Sequence, residues 1–286
     1  MALLVHGLAI ASALCSAAAT ILIRQGLGRS NAYTGFWLNL VVGVVGLWVA
    51  TFLLVPVADF QARALPFFIA SGLLGTVAGR FLRFVSIDQV GAPVAAAINN
   101  LNPFISTGLA ILLLGEQVTL PILAGTCVIV LGTIVLSLSG KYVGFRPSAL
   151  CYPFLSAFCF GSVAIIRKLG LSHAHPVFAF AVNVTAAFIV FTAYLLASGK
   201  LSTLRCDRLS LRYFLLAGVT ENAGVLLGLI ALGLGQVSVV TPLSGTAPLF
   251  VLLLSYMYLQ GVECLTGQIV AGTVLIVLGV FFLTAV

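Results

Sequence analysis

ILAGTCVIVLGTIVLS, residues 122–137, returns with few changes as IVAGTVLIVLGVFFLT at 269–284. At this offset of 147, Glu116 falls on Glu263, Thr119 on Thr266 and Gly125–Thr126 on Gly272–Thr273. Ile129 to Gly132 falls on Ile276 to Gly279 as the same four letters, IVLG. Apolar segments resemble one another through composition alone, but glutamate and glycine held in register need another cause. The match continues at slightly smaller offsets: Arg24 with Arg167, Asn39 with Asn183, Gly72 with Gly218, Pro103 with Pro248. The drift in offset corresponds to small loop insertions. The chain therefore reads as a tandem repeat, residues 1–140 followed by 141–286.

Composition names the solvent of this repeat. Of 286 residues, 62% are hydrophobic and 7% charged, whereas a soluble domain carries about a quarter charged residues. The mean hydropathy is +1.24. So few charges cannot cover a water-soluble surface of this size, so most of the chain faces lipid. The net charge of +7 sits in short segments between apolar runs. That placement suits lipid headgroups and gives no basic face for nucleic acid. The six cysteines show no CxxC or Cys/His ligand spacing and read as small buried hydrophobes. The apolar run at the N-terminus lacks a basic leader and continues to Arg24, so it reads as a first spanning helix rather than a signal peptide.

A spanning helix needs about 20 apolar residues, and in lipid every backbone group must be satisfied within the segment. Apolar runs bounded by charge, Pro and Gly predict ten helices: 3–23, 35–55, 66–86, 92–114, 119–139, 148–167, 176–197, 212–233, 238–259 and 264–285. Ten-residue alternating strands, the mark of a membrane barrel, are absent from the pattern. The predicted fold is all-α integral membrane: ten transmembrane helices as two inverted five-helix repeats. Inversion follows from parity, because five is odd and the second copy starts on the opposite face. This plan recurs in secondary transporters.

The chain resembles the EamA-type, ten-helix members of the drug/metabolite transporter superfamily. The resemblance rests on NNLNPFISTGLAILLLGEQVTLPILAGTCVIVLG (99–132) and SGTAPLFVLLLSYMYLQGVECLTGQIVAGTVLIVLG (244–279), each pairing a Pro-containing helix with a Glu-led, Gly-containing one. The basic ends ILIRQGLG and AIIRKLGL agree with it. The resemblance implies a central cavity, outward movement of small metabolites and cytoplasmic termini. The basic residues point the other way: Arg24, Arg29, Lys141, Arg146, Lys200, Arg205, Arg208 and Arg212 fall on the face opposite the termini, which the positive-inside rule assigns to the cytoplasm. The GRFLR stretch at 79–83 is a departure from the family pattern.

Ionisable groups at membrane depth are costly and mark function by default. Glu221 lies mid-span in the eighth predicted helix; Arg80 and Arg83 lie toward the end of the third. They read either as structural ion pairs, with Arg83 also able to snorkel to the headgroups, or as a site. In the second reading the arginines clamp a carboxylate or phosphate, and Glu221 holds an ammonium group or a coupling proton. Asn99, Asn100 and Asn102 ahead of Pro103 form a polar notch, since Pro frees a carbonyl one turn back. Ser244 and Thr246 ahead of Pro248 form its counterpart. Asn222, Asn39 and Asn183 read first as interhelical hydrogen bonders. Glu116 and Glu263 read as caps of the fifth and tenth helices, and His173 and His175 as a solvated turn.

No phosphate loop, HExxH or nucleophile elbow appears, so the expectation is a non-enzyme with no cofactor and no metal. The expected function is a secondary transporter, exporting a small polar metabolite such as an amino-acid-like zwitterion by alternating access. The alternatives are an organic-anion or phosphate-ester exchanger, or a membrane scaffold or receptor that kept the fold. The partners implied are a small-molecule substrate and the lipid bilayer, with room for a homodimer.

Overall fold

The computed structural model describes residues 2–56, 62–91, 95, 98–99, 101–138, 147–258 and 267–284. Ordered structure among them is helical. Helices α1 (Ala2–Leu27) and α2 (Ala32–Leu54) are joined by a short turn. Asn31 starts α2, its Oδ1 accepting from the Thr34 N–H at 2.9 Å. Helix α3 is one rod in three segments, Leu65–Ser71, Gly72–Arg80 and Phe81–Val90, the middle one wound as a π-helix. Helix α4 runs from Asn102 to Leu109 and widens to π geometry over Ala110–Leu114. It ends on Gly115, whose φ of +63° is a left-handed cap that glycine takes without strain. Then come α5 (Leu120–Leu138), α6 (Cys151–Leu171), α7 (Pro176–Ala197) and α8 (Arg208–Leu234). Helix α9 is broken into Val237–Ser244 and Ala247–Tyr258, and α10 is Gly267–Thr284.

Six of the described helices are long and apolar enough to cross a membrane: α1, α2, the α3 rod, α6, α7 and α8. Shorter apolar runs cover Asn102–Leu114, Leu120–Val135 and Val237–Val251. Side chains such as Val49, Phe52, Leu53, Leu112, Phe158 and Val219 are exposed on the outside. That greasy rim is what a lipid-facing surface requires.

Small residues set the packing. Helices α1 and α8 run antiparallel, with Gly26 against the Phe214 ring, Gly224 against Cys15 and Gly235 against Val5. Helices α3 and α6 repeat the arrangement: Gly170 meets Phe68, Gly75 meets Val163 and Gly79 meets Cys159. Helices α2 and α7, matched members of the two repeats, are antiparallel to each other, with Phe36 on Phe191 and Trp48 on Phe178. The Trp37 and Trp48 indole N–H groups donate to Thr192 and Thr185 on α7, so both rings are packing residues.

The repeated sequence folds back on itself: α5 packs antiparallel on α10. A Cβ at Gly132 would stand 2.8 Å from the Gly272 carbonyl oxygen, and one at Gly279 would stand 2.8 Å from that of Gly125. Each copy supplies the glycines against which the other copy's backbone rests, which is why glycine is kept in register.

Three expectations need correction here. Pro103 stands in the first turn of α4, where its missing N–H costs nothing, so it begins a helix rather than kinking one. The Asn102 amide donates to the Asn99 carbonyl at 2.8 Å and itself fills the notch. The cysteines are not uniformly buried: Cys127, Cys151 and Cys206 are exposed. Two sit on helices, Cys127 on α5 and Cys151 at the start of α6, and Cys206 lies in the loop ahead of α8; Cys264 lies outside the described residues. Glu116 does not cap α5. Its carboxylate accepts from the Val237 N–H at 2.9 Å, the Ser238 N–H at 3.1 Å and the Ser238 hydroxyl at 2.7 Å, satisfying the start of α9. Glu263 lies outside the described residues.

Candidate functional site

Arg80 and Arg83 are one helical turn apart on α3, where the wide winding gives way to α-helix. π-turns recur at functional sites because they displace side chains from regular spacing. Both arginines converge on Glu221 of α8. Arg83 donates from Nη1 to Glu221 Oε1 at 2.6 Å, and Arg80 Nε stands 3.9 Å from the same oxygen. From Nη2, Arg83 donates to the Ser16 carbonyl and hydroxyl at 3.2 and 3.3 Å and to the Thr20 hydroxyl. The short Arg83–Glu221 bond and an exposure of only 11% exclude a snorkelling Arg83.

Arg80 is buried and committed to the scaffold. Its Nη1 donates to Asn39 Oδ1 at 2.9 Å and Asn222 Oδ1 at 3.2 Å, and its guanidinium lies over the Phe180 ring. Asn222 in turn donates to the Asn39 carbonyl at 3.2 Å and the Gly218 carbonyl at 2.7 Å. One nitrogen of Arg80 and one oxygen of Glu221 are buried without a hydrogen-bond partner among the described residues.

Beside this network lies a cavity of about 220 Å³. Of the residues singled out from sequence, Arg83, Asn99, Asn102, Glu221 and Ser244 line it. Arg80, Asn222 and Thr246 do not: the first two stand behind the wall, and the Thr246 hydroxyl is used by the Leu243 carbonyl at 2.8 Å. Asn100 lies outside the described residues. The buried Asn99 Oδ1 has no partner among them.

Other lining groups escaped the sequence reading. Ser12, Ser16 and Thr20 line the cavity from α1 and Thr241 from α9. A four-residue spacing puts the first three on one face of α1, a signal present in the sequence. Arg167, read as a helix end, also lines the cavity. Its Nε donates to the Ser71 hydroxyl at 2.9 Å, and the same hydroxyl accepts from Asn183 Nδ2 at 2.6 Å. Neighbouring Lys168 turns to the other side and donates to the carbonyls of Leu232 and Gly235 at the end of α8.

Charged and hydroxyl groups are thus gathered around one cavity inside a bundle of apolar helices. The model of the EamA-like transporter family matches the chain twice, over residues 3–138 and 147–285. The protein belongs to the EamA-like transporter family and is a multi-pass integral membrane protein. No curated protein matches the chain. Among solved structures, a crystal structure of a protein that is 17% identical aligns with a TM-score of 0.72, over 96% of this chain and 96% of that one. At that identity the likeness concerns the fold.

Proposed function

We propose that the protein is a secondary transporter that exports a small polar metabolite, an amino-acid-like zwitterion, by alternating access. The observation that carries this reading is the cavity itself. It is walled by α1, α3 and α4 of the first repeat and α6, α8 and α9 of the second, and it brings Arg83, Arg167 and Glu221 to one hollow. Charged groups there are expensive unless a solute uses them.

In this reading the chain crosses the membrane as ten helices in two inverted repeats, 1–140 and 141–286. The antiparallel pairing of matched helices, α2 with α7 and α5 with α10, supports inversion. So does the exchange by which α1 packs on α8 while α6 packs on α3. Rocking one repeat against the other would expose the cavity to either side in turn.

A specific observation favours a second reading, an organic-anion or phosphate-ester exchanger. Among the described residues the core holds Arg80, Arg83 and Arg167 against the single carboxylate of Glu221. Counterflow in proteoliposomes separates the two. Amino-acid uptake that responds to a proton gradient supports the zwitterion; obligatory phosphate-ester exchange insensitive to that gradient supports the second reading. Absence of movement of either class overturns both.

A further inference from the structure

The arginines of the core are not equivalent. Arg83 spends its fork on Glu221, Ser16 and Thr20, and Arg80 is fixed by Asn39 and Asn222. Arg167 differs. Its Nε is held by Ser71, and its guanidinium borders the cavity. Among the described residues no carboxylate pairs with it.

The hold on Arg167 is built in depth. Ser71 is fully buried, its oxygen shared by Arg167 and Asn183, while Asn183 Oδ1 accepts from the Thr76 hydroxyl at 2.7 Å. Gly72, next to Ser71, packs directly under the Asn183 carbonyl: a Cβ there would stand 2.5 Å from that oxygen. Helices α3, α6 and α7 are thus locked together behind the guanidinium. Such backing fixes the direction of a binding group. A merely structural arginine would spend its terminal nitrogens on that scaffold; this one keeps them off it.

An unpaired cation within a low-dielectric wall is costly, and the Glu221 carboxylate in that wall is engaged by Arg83 rather than by Arg167. With three arginines against one glutamate, the described residues of the region carry two positive charges in excess. An anionic solute group supplies the missing partner, and the planar guanidinium matches a two-oxygen face. We propose that Arg167 is the oxyanion-recognition residue of the cavity, holding the carboxylate or phosphate group of the solute. The inference rests on the transport reading for the identity of the ligand as cargo, but not for its binding.

The test is equilibrium calorimetry on the purified full chain in detergent with four probes: serine, succinate, glycerol 3-phosphate and choline. The wild-type protein is expected to bind at least one of the three oxyanion probes and not choline. Binding of serine identifies the zwitterion, succinate a dicarboxylate, and glycerol 3-phosphate the phosphate ester. Arg167→Gln is expected to weaken that binding about 10–100-fold, the worth of charge-assisted hydrogen bonds. Arg167→Lys keeps the charge without the fork and should fall between. Arg24→Gln, at the matching but exposed position of α1, should bind like wild type. Should Arg167→Gln not fold, Ser71→Ala serves instead: loss of the Nε anchor should weaken oxyanion binding without abolishing it. Wild-type binding of choline alone, binding of no probe, or equal binding by wild type and the Arg167 variants overturns the proposal. Arg167-dependent binding without uptake in liposomes overturns the transport reading and leaves this one standing.

Discussion

Adding one methyl group at Gly132 tests whether the repeated sequence exists to pack against itself. An alanine Cβ would lie 2.8 Å from the Gly272 carbonyl oxygen and from the Ile276 nitrogen, where ordinary contact begins near 3.4 Å. Both obstacles are backbone, so rotamer changes cannot relieve them and α5 must move off α10 by roughly 0.6 Å, a gap that forfeits a quarter to a half of the nearby contact energy. Overpacking of this kind costs about 1–3 kcal/mol. Alanine also returns up to about 1 kcal/mol of helix propensity, so the variant needs a control with the same gain. Gly46 in α2 is exposed and a Cβ there meets nothing within 4 Å. Unfolding in mixed micelles with rising SDS, followed by the fluorescence of Trp37 and Trp48, gives the stability of each. Gly132→Ala should be less stable than Gly46→Ala by about 1–3 kcal/mol. Gly279→Ala should behave like Gly132→Ala, and the double variant should lose less than the two losses added, because one separation of the helices relieves both clashes. Equal stability of Gly132→Ala and Gly46→Ala would refute the reasoning.

Glu221→Gln leaves Arg83 and Arg80 without a carboxylate; breaking a buried pair costs about 3–5 kcal/mol, and uptake in proteoliposomes should be lost. Normal uptake with unchanged pH dependence would remove Glu221 from the mechanism. Glu116→Gln weakens the bonds that start α9 and should lower stability in the same SDS titration by about 1–3 kcal/mol. Asp207 caps α8, and hydrogen bonds from Ser210 with the nearby Arg29 guanidinium hold its carboxyl below the usual range. Its contribution is therefore present above the unfolded-state pKa and lost as pH falls through the folded-state pKa. Melting curves taken across that acid range should show a fall in wild type that Asp207→Asn, which keeps an acceptor, lacks.

The helical class and the membrane setting were legible because lipid permits so few solutions: apolar runs near 20 residues leave little but helix. Helix α3 was legible only in part. The predicted span 66–86 stops short of Val90 and gives no hint of the π winding over Gly72–Arg80, the segment against which α6 and α7 pack. The break in α9 at Gly245–Thr246 was marked by the polar notch of Ser244 and Thr246 ahead of Pro248, although the predicted span 238–259 ran through it. At the site, the meeting of Arg80, Arg83 and Glu221 was readable from their rarity at membrane depth. The place of Arg167 on the cavity was not, since a basic residue near a helix end looks like the end of a span until the neighbouring helices are placed.

Lining up the two repeats separates scaffold from site. Positions that match across them serve packing: Gly132 and Gly279 let α5 and α10 touch, Gly72 and Gly218 admit Asn183 and Val42, and Asn39 and Asn183 each anchor a guanidinium region through side-chain oxygens or a shared hydroxyl. The charged residues break the match. At the offset that aligns Gly72 with Gly218, Arg80 falls on Leu226, Arg83 on Leu229 and Glu221 on Gly75. Arg24 and Arg167 match in letter, yet one is exposed and the other borders the cavity. A duplicated bundle with strict symmetry would carry two like half-sites. Charges that lack a counterpart at the matching position of the other copy make a single site with a direction, positive beside Arg167 and paired beside Arg83. In the transport reading proposed above, such a site would orient a polar solute in one way.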